Sequence, residues 1–386
     1  MPESGTAFVI SAPSIFDGAR FLRDHCIVIR QHSVERVLPL AQCPAELDRV
    51  ALATGTVAPG FIDLQVNGGG DLMFNNDTSA ATLAAMLDAH RATGTTAMMP
   101  TLISDTRERQ ELAVAAVRAA RAGAIPGILG IHLEGPYFEP ARRGAHSADM
   151  LRQPQPRDIE WLCSLADLRV IVTLAPEHTR PGQIRELAAS GIHVCAGHTN
   201  ATYEQIVAAA AEGLEGFTHL FNAMSPLASR APGTVGAALA DASLWAGIIA
   251  DGHHVHPAGI RLAHRAKPPG RLVLVTDAMA TVGGSGKAFS LYGEQVTASG
   301  GALVNSAGAL AGSAIGMIEA VGYSARSVGI ELAECLRMAS LYPAAILGVD
   351  DRRGRIAAGY RADLVHFDEQ FSVRNTWLGG ARRQHG

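Results

Sequence analysis

The chain has 386 residues, enough for one large domain with an appendage or for two or three ordinary domains. Its residues are 48% hydrophobic and 18% charged, with a formal net charge of −4, which excludes a disordered chain and gives nucleic-acid binding no electrostatic basis. No apolar run is long enough to cross a bilayer and no secretory signal is visible, so neither a membrane role nor export is expected.

The two ends of the chain have a similar pattern. Residues 1–56 contain the short β-like runs AFVISA, CIVIR and RVLPL, and residues 346–386 contain strand-like segments interrupted by glycine and charge. We therefore expect residues 1–56 and 346–386 to form one small β-sandwich domain, with residues 57–345 inserted between them as a second, catalytic domain.

Eight apolar runs follow one another through this central segment. Three of them, GILGIHL, VIVTLA and RLVLVTDA, are almost continuously hydrophobic, as expected for parallel strands that are buried on both faces. The predicted strands are Val57–Gln65, Thr95–Leu102, Gly127–Glu134, Leu168–Ala175, Gly191–His198, Gly216–Phe221, Leu244–Asp251 and Arg271–Asp277.

Alanine- and leucine-rich stretches between these runs predict helices. The first begins with Thr-Ser and stops at Gly94, which is good capping chemistry. The predicted helices are Thr78–Thr93, Asp105–Ala122, Pro181–Ser190, Tyr203–Glu212 and Pro257–Ala266. The alternation predicts an α/β fold, a (β/α)8 TIM-type barrel rather than an open sheet, and the glycine-rich stretch Thr281–Gly312 predicts a hairpin insertion before the last barrel helix.

Cysteine usage bears on the cellular compartment. The five cysteines are odd in number, scattered and never spaced as Cys-x-x-Cys. This pattern favours free thiols in a reducing cytoplasm over disulfides or a zinc knuckle.

Candidate catalytic side chains lie where the predicted strands end, which is where barrel enzymes place their active sites. The candidates are Glu134 after the third strand, His198 after the fifth, His219 after the sixth, Asp251, His253 and His254 after the seventh, and Asp277 after the eighth. Each histidine alone fits a satisfied interior or surface residue better than a ligand. Together, Glu134, His198, His219 and Asp277, each at the same end of a different predicted strand, favour a metal site.

The chemistry of this set is that of a hydrolase. One carboxylate and two imidazoles make a three-ligand divalent metal site with a position left for water. A bound metal lowers the pKa of that water to about 7. Asp277 would then act as the general base that takes the proton and later gives it to the leaving group.

Nine segments carry a resemblance to a known family. They are APGFIDLQVNG (58–68), HLEGPYF (132–138), GAHS (144–147), AGHTNA (196–201), THLFNAM (218–224), DGHHV (251–255), TDAM (276–279), LAGS (310–313) and GRIAAGYRADLV (354–365). With them, the chain resembles the N-acetylglucosamine-6-phosphate deacetylase family of the amidohydrolase superfamily. The resemblance implies removal of the acetyl group from N-acetyl-D-glucosamine 6-phosphate, giving D-glucosamine 6-phosphate and acetate.

The resemblance also implies a role for each matching residue. Glu134, His198 and His219 would bind the metal, and Asp277 would be the catalytic acid/base. His146, in GAHS, would hydrogen-bond the acetyl carbonyl and stabilise the oxyanion.

Further implied residues would bind the substrate. Asn222 and the backbone of Ala223 would hold the phosphate, and His254 would contact the sugar phosphate. Arg230 would reach the phosphate in the neighbouring subunit of a homodimer, although a solvated loop cation is the alternative for it. The implied substrate contacts also include Ala145, His146 and, at the acetyl end, Leu310, Ala311 and Gly312.

Two departures from the superfamily pattern set the expected number of metals. Gln65 and Asn67 occupy the place where many amidohydrolases have His-x-His, and neither amide is a good metal ligand. The only lysines, Lys267 and Lys287, lie in apparent loops, so a carbamylated lysine bridge is not available. We expect one divalent metal per subunit, with zinc first and iron, cobalt or manganese possible. His253 is treated as incidental.

Two other functions stay open from the sequence. One is a different amidohydrolase, a cyclic amidase or a deaminase, which usually keeps His-x-His and needs no phosphate-binding arginine. The other is a non-catalytic, amidohydrolase-like scaffold, which typically loses metal ligands or the base.

Overall fold

A barrel of parallel strands forms the centre of the computed structural model, which describes residues 7–123, 125–306 and 308–386. Eight strands pair in chain order in one parallel sheet. From first to eighth they are Phe61–Val66, Thr95–Ile103, Ile131–Glu134, Val170–Leu174, His193–Ala196, Gly216–Phe217, Trp245–Ile248 and Leu272–Leu274. A parallel bridge between Val66 and Ala278 joins the chain after the eighth strand to the first, so the predicted barrel is confirmed.

The barrel interior and its helical layer share one large apolar core. Strand residues such as Leu133, Val172 and Ile248 are almost fully buried in it, as the continuous hydrophobic runs predict. The helices are Ala80–Arg91, Arg107–Ala122, Pro156–Cys163, Gln183–Ala189, Tyr203–Glu212, Gly233–Ala240, Pro257–Ala266, Met317–Tyr323, Leu332–Ala339 and Leu341–Ile346. The predicted bounds of Tyr203–Glu212 and Pro257–Ala266 are confirmed.

Helix starts follow the capping chemistry in the sequence. The Ser79 side chain accepts the backbone N–H of Thr82 at the start of Ala80–Arg91. At Tyr203–Glu212, Thr202 and Gln205 form a reciprocal capping box. These caps fix where each helix begins behind its strand.

The first predicted strand is divided between two sheets. Thr56–Pro59 pairs antiparallel with Leu364–Phe367 outside the barrel, and the first barrel strand begins only at Phe61. Between them, a Cβ at Gly60 would collide with the Thr96 side chain, so only glycine fits where the chain crosses over. The predicted boundary between residues 56 and 57 falls within Thr56–Pro59.

Both chain ends build two further sheets beside the barrel. One contains Phe8–Ser11, His25–Arg30, Ser33–Pro39 and Asp48–Ala51, and the other contains Ser14–Phe16, Phe21–Leu22, Thr56–Pro59, Leu364–Phe367, Val373–Leu378 and Ala381–Gln384. Ile10 and Ile27 of the first sheet share a core with Leu364 and Trp377 of the second, as expected for a sandwich. Residues 1–6 of the predicted small domain lie outside the described residues, and the division into domains stays a prediction.

The predicted hairpin insertion has three strands rather than two. Ala288–Leu291, Glu294–Ser299 and Ala302–Val304 form an antiparallel sheet. Its residues Phe289 and Leu303 pack with Met279, close to the end of the eighth barrel strand. The insertion therefore adds a small apolar cluster beside the barrel mouth. Among the described residues, no helix has the length and apolar character needed to cross a membrane.

Candidate active site

A cavity of about 180 Å³ opens at the C-terminal mouth of the barrel. It is lined by Asn67, Ile103, Glu134, Gly144, Ala145, His146, His198, His219, Asn222, Ala223, His254, Asp277, Met279, Leu310 and Gly312. The fold thus brings together eleven of the thirteen predicted site residues, from positions as far apart as Glu134 and Gly312.

Three ligand atoms converge in this cavity. The Nε2 atom of His219 lies 3.1 Å from Glu134 Oε1, the Nε2 atom of His198 lies 3.4 Å from it, and the two Nε2 atoms are 3.0 Å apart. Burial acts to raise the pKa of Glu134, but the neighbouring imidazoles of His198 and His219 hold that pKa well below its usual value. An ionised carboxylate facing two imidazoles is a donor set that fits one divalent cation.

The orientation of His198 is compatible with metal binding. Its Nδ1–H donates to the Arg142 carbonyl at 2.8 Å, which leaves the Nε2 lone pair of the neutral ring free for a cation. The Phe138 ring stacks on the imidazole, with ring centroids 4.3 Å apart. His198 is therefore held both by a hydrogen bond and by an aromatic contact before any ligand binds.

The loop that carries His198 is fastened by two glutamates. Glu177 accepts hydrogen bonds from the Thr199 hydroxyl at 2.5 Å and the Asn200 backbone N–H at 2.6 Å. The Glu139 backbone N–H donates to the His198 carbonyl at 3.0 Å, and the Glu139 side chain pairs with His178 at 2.9 Å. Because these groups already serve the loop, we interpret the Glu139, Glu177 and His178 cluster as support for the active site.

Asp277 lies beside the three ligands and is held by uncharged donors. Its Oδ1 accepts hydrogen bonds from Gln65 Nε2 at 3.0 Å and Asn67 Nδ2 at 2.6 Å. Burial raises the pKa of Asp277 to about 6, and the charge of Glu134 adds to the effect. A carboxylate with a pKa near neutrality can both take and return a proton.

Three of these side chains come from strained backbone. Asp277, His198 and His219 have φ angles of +53°, +49° and +34°, in the left-handed region that residues with a Cβ rarely adopt. Such strain persists only where the surrounding structure enforces it, and it clusters at functional sites. These positive φ angles are a backbone observation, separate from the chemistry of the side chains, that marks this end of the barrel as functional.

His146 is oriented as a hydrogen-bond donor toward the cavity. Its Nδ1 accepts the Ser104 backbone N–H at 3.2 Å and lies 2.8 Å from the Ser104 hydroxyl. Burial lowers the pKa of His146 well below its usual value, so the ring is neutral. With Nδ1 acting as an acceptor, the proton resides on Nε2, which can donate to a substrate oxygen.

Asp251 gives His254 its orientation. Asp251 Oδ2 lies 2.6 Å from His254 Nδ1, and Oδ1 accepts the backbone N–H groups of His253 and His254 at 2.9 Å. Burial acts to raise the pKa of Asp251, but the hydrogen bond with His254 lowers it to about 2. His253 is exposed and does not line the cavity, in agreement with its treatment as incidental.

Two predicted substrate contacts do not line the cavity. Ala311 is fully buried and packs in the apolar cluster with Met279 and Leu303, so the wall is formed by its neighbours Leu310 and Gly312. Arg230 lies exposed in the loop after the sixth strand and forms no ion pair with the described residues of its own chain.

The sequence did not assign positioning roles to Gln65, Asn67 and Ser104, and it named Asp251 only as a candidate catalytic side chain. Each lies at or just after the end of a barrel strand, and this position was the signal from which a role in the active site could have been predicted. Gln65 and Asn67 were recognised only as poor metal ligands, because their hydrogen-bond partner Asp277 lies 212 and 210 residues away along the chain.

Comparison with known proteins agrees with this geometry. A model of the amidohydrolase family matches residues 56–382. The chain belongs to this family. The family is metal-dependent, and Glu134, His198 and His219 are candidate ligands in this amidohydrolase. The family and the enzyme class predicted from the sequence, a metal-dependent amide hydrolase, are confirmed.

Several relatives match this amidohydrolase along nearly its whole length. An N-acetylgalactosamine-6-phosphate deacetylase of Shewanella sp. is 42% identical, with 95% of each chain covered. An N-acetylglucosamine-6-phosphate deacetylase of Haemophilus influenzae is 34% identical, with 94% of this chain and 96% of the relative covered. The crystal structure of the N-acetylglucosamine-6-phosphate deacetylase from Pasteurella multocida superimposes with a TM-score of 0.95 at 36% identity, covering 98% of this chain and 100% of that one.

Proposed function

We propose that this amidohydrolase removes the acetyl group from N-acetyl-D-glucosamine 6-phosphate, giving D-glucosamine 6-phosphate and acetate. The observation that carries the proposal is the convergence of Glu134, His198, His219, Asp277 and His146 on one cavity. Near-full-length similarity to deacetylases of N-acetyl amino-sugar 6-phosphates supports the substrate class. The predicted cytoplasmic location stays a prediction.

One divalent ion, for which zinc is our first choice, would be held by Glu134, His198 and His219. When bound, the ion supplies Lewis acidity, which lowers the pKa of a water in the cavity and polarises the acetyl carbonyl. Gln65 and Asn67 offer amide groups where a second metal would need stronger ligands, which supports a single ion.

The remaining steps belong to this chain's own side chains. Asp277 takes a proton from the attacking water and gives it to the departing nitrogen, so that the nitrogen leaves as a neutral amine. The Nε2–H of His146 donates a hydrogen bond to the carbonyl oxygen, which gains negative charge as the tetrahedral centre forms. His198 and His219 turn their Nε2 atoms toward Glu134 and would present them to the ion.

Substrate recognition would involve the loop that follows the sixth strand. Asn222 and the backbone of Ala223 line the cavity and would hold the phosphate, and His254, oriented by Asp251, would contact the sugar phosphate. Arg230, exposed and without an ion pair to the described residues of its own chain, would reach the phosphate bound in the partner subunit of a homodimer. Ala145, Leu310 and Gly312 would surround the acetyl end, with Ala311 behind them.

A second candidate substrate is the C4 epimer, N-acetyl-D-galactosamine 6-phosphate. It is favoured by one observation, the 42% identity to the Shewanella N-acetylgalactosamine-6-phosphate deacetylase. Both sugars carry the same acetamide and 6-phosphate, so the chemistry proposed for Asp277 and His146 is the same for both.

Acetate release from the two purified sugar phosphates tests the proposal. We expect release from both, with the higher kcat/KM for the glucosamine derivative, and loss of activity when a chelator removes the metal. Faster turnover of the galactosamine derivative would make N-acetyl-D-galactosamine 6-phosphate the substrate and leave the proposed deacetylation chemistry unchanged. No acetate from either compound would overturn the proposal.

A further inference from the structure

Two amide side chains at the end of the first barrel strand act on the same carboxylate oxygen. Gln65 and Asn67 alternate along the chain and therefore lie on the same face, toward the barrel mouth. Gln65 Nε2 and Asn67 Nδ2 donate to Asp277 Oδ1 at 3.0 Å and 2.6 Å. These positions thus carry hydrogen-bond donors where the superfamily pattern has metal-binding histidines.

The backbone holds donors and acceptor in fixed register. The Asp277 backbone N–H donates to the Gln65 carbonyl at 3.0 Å, and the Asn67 backbone N–H donates to the Ala278 carbonyl at 2.9 Å. The amides and the carboxylate therefore lie on two segments that are joined by backbone hydrogen bonds rather than on separate loops. A side chain mounted in this way can be positioned to within a few tenths of an ångström.

The two oxygens of Asp277 have different environments. Oδ1 accepts two hydrogen bonds, whereas Oδ2 accepts none from the described residues, although Asp277 lines the cavity. A carboxylate oxygen whose lone pairs already accept two N–H groups is a poor site for a further proton. The oxygen without such partners is the better proton acceptor.

We propose that Gln65 and Asn67 are positioning residues that fix Asp277 through Oδ1, so that Oδ2 is the atom that carries the proton. This inference rests on the proposed deacetylation. Oδ2 takes one proton from the attacking water, whose oxygen bonds to the acetyl carbon. The same proton then passes from Oδ2 to the departing nitrogen as the C–N bond breaks, and Asp277 returns to its ionised form.

The surroundings of Asn67 argue against a purely structural role. Its Oδ1 is buried and accepts no hydrogen bond from the described residues, so the amide is held only at the end that faces Asp277. By contrast, Asn375 in the terminal sheets is bonded at both ends, by His366 at 2.9 Å and Arg382 at 2.9 Å. Gln65 also donates to Glu134 at 3.0 Å, so Asn67 is the cleaner residue to test.

The test compares Asn67→Ala and Asn67→Asp in the wild-type and Asp277→Asn backgrounds, with metal content and thermal stability measured for every variant. In the wild-type background we expect Asn67→Ala to lower kcat about 10- to 100-fold with KM changed less than about threefold. Asn67→Asp, which places a second carboxylate against Oδ1, should lower kcat further. In the Asp277→Asn background the alanine substitution should change kcat less than about threefold, because no carboxylate remains to be positioned.

Each outcome bears on the inference. Equal losses of kcat in both backgrounds would show that Asn67 acts independently of Asp277 and would overturn the inference. An Asn67→Asp variant more active than Asn67→Ala would also overturn it, because the isosteric aspartate would be the milder change if Asn67 only packed. Asn375→Ala is the matched control, expected to lose stability and keep kcat. If the wild type released no acetate, the proposed function would fail; if it did and Asn67→Ala kept its kcat, only this inference would fail.

Discussion

Two buried aspartates in different parts of the molecule are held in opposite ways. Asp363, between the terminal sheets and the barrel, accepts hydrogen bonds on both oxygens: Arg353 and Arg361 bind Oδ2, and the Gly379 backbone N–H donates to Oδ1 at 2.7 Å. Asp277 at the barrel mouth receives only neutral amide donors, all on Oδ1, and faces the carboxylate of Glu134.

This difference separates a carboxylate that stabilises the fold from one that can do chemistry. Two arginines on Oδ2 and the Gly379 N–H on Oδ1 leave neither oxygen of Asp363 without a donor. At Asp277, burial and the charge of Glu134 raise the pKa to about 6, and one oxygen is left without a donor among the described residues. Leaving a buried carboxylate oxygen without a donor costs stability, and at Asp277 it leaves that oxygen available for chemistry.

The largest predicted effect is on catalysis by Asp277→Asn. The new amide keeps an oxygen that can accept the hydrogen bonds of Gln65 and Asn67, so folding and metal binding should be unchanged. Because an amide cannot carry the proton, kcat should fall by about 10²- to 10⁴-fold. Steady-state acetate release with metal analysis checks this, and near wild-type turnover would contradict the role given to Asp277.

The complementary change, Asp363→Asn, should act on stability instead. It leaves the buried guanidinium of Arg353 without a balancing charge, which costs about 3–5 kcal/mol in the free energy of unfolding. Denaturant melts should show this loss while kcat of the folded fraction is retained. A large fall in kcat at unchanged stability would contradict the assignment of Asp363 to the stability of the fold and of Asp277 to catalysis.

A smaller effect is predicted for the exposed arginine. Arg230→Ala should reduce kcat/KM for the phosphorylated substrate by about 10- to 150-fold, the equivalent of about 1.5–3 kcal/mol for a charged hydrogen bond. Unphosphorylated N-acetylglucosamine should be turned over almost as before. Equal losses on both substrates would remove the phosphate role.

Mixing experiments show in which subunit Arg230 acts. When impaired Arg230→Ala and Asp277→Asn chains are mixed, the mixture should be more active than the sum of the separate variants, because one site of each hybrid dimer contains both groups intact. Selective loss on the phosphorylated substrate without rescue by mixing would place Arg230 in the site of its own subunit.

Sequence patterns predicted most of the barrel because its signals are local. The strands are continuous apolar runs, and Ser79 and Thr202 cap helices within three residues of themselves. The division at Gly60 was missed because it depends on Thr96 of the next strand, a tertiary contact. The three-stranded insertion was underestimated for a similar reason, since its glycine-rich turns resemble those of a single hairpin.

The candidate site was predicted only as far as residue chemistry allowed. Glu134, His198, His219 and Asp277 carry metal-ligand or acid–base side chains at strand ends, and the fold brings them together. The role of Asn67 depends on a partner in the eighth strand's loop, and Ser104 acts on His146 across 42 residues. Such pairs are set by the closure of the barrel, which no local pattern encodes.

The most direct test of the account is the number of divalent ions bound per chain in the purified, metal-replete enzyme. The geometry of Glu134, His198 and His219 predicts one tightly bound ion in the wild type, and its loss in His198→Ala and His219→Ala. Two ions at full occupancy would show that Gln65 and Asn67 ligate a second metal rather than hold Asp277. Retention of the ion in both histidine variants would contradict the site itself.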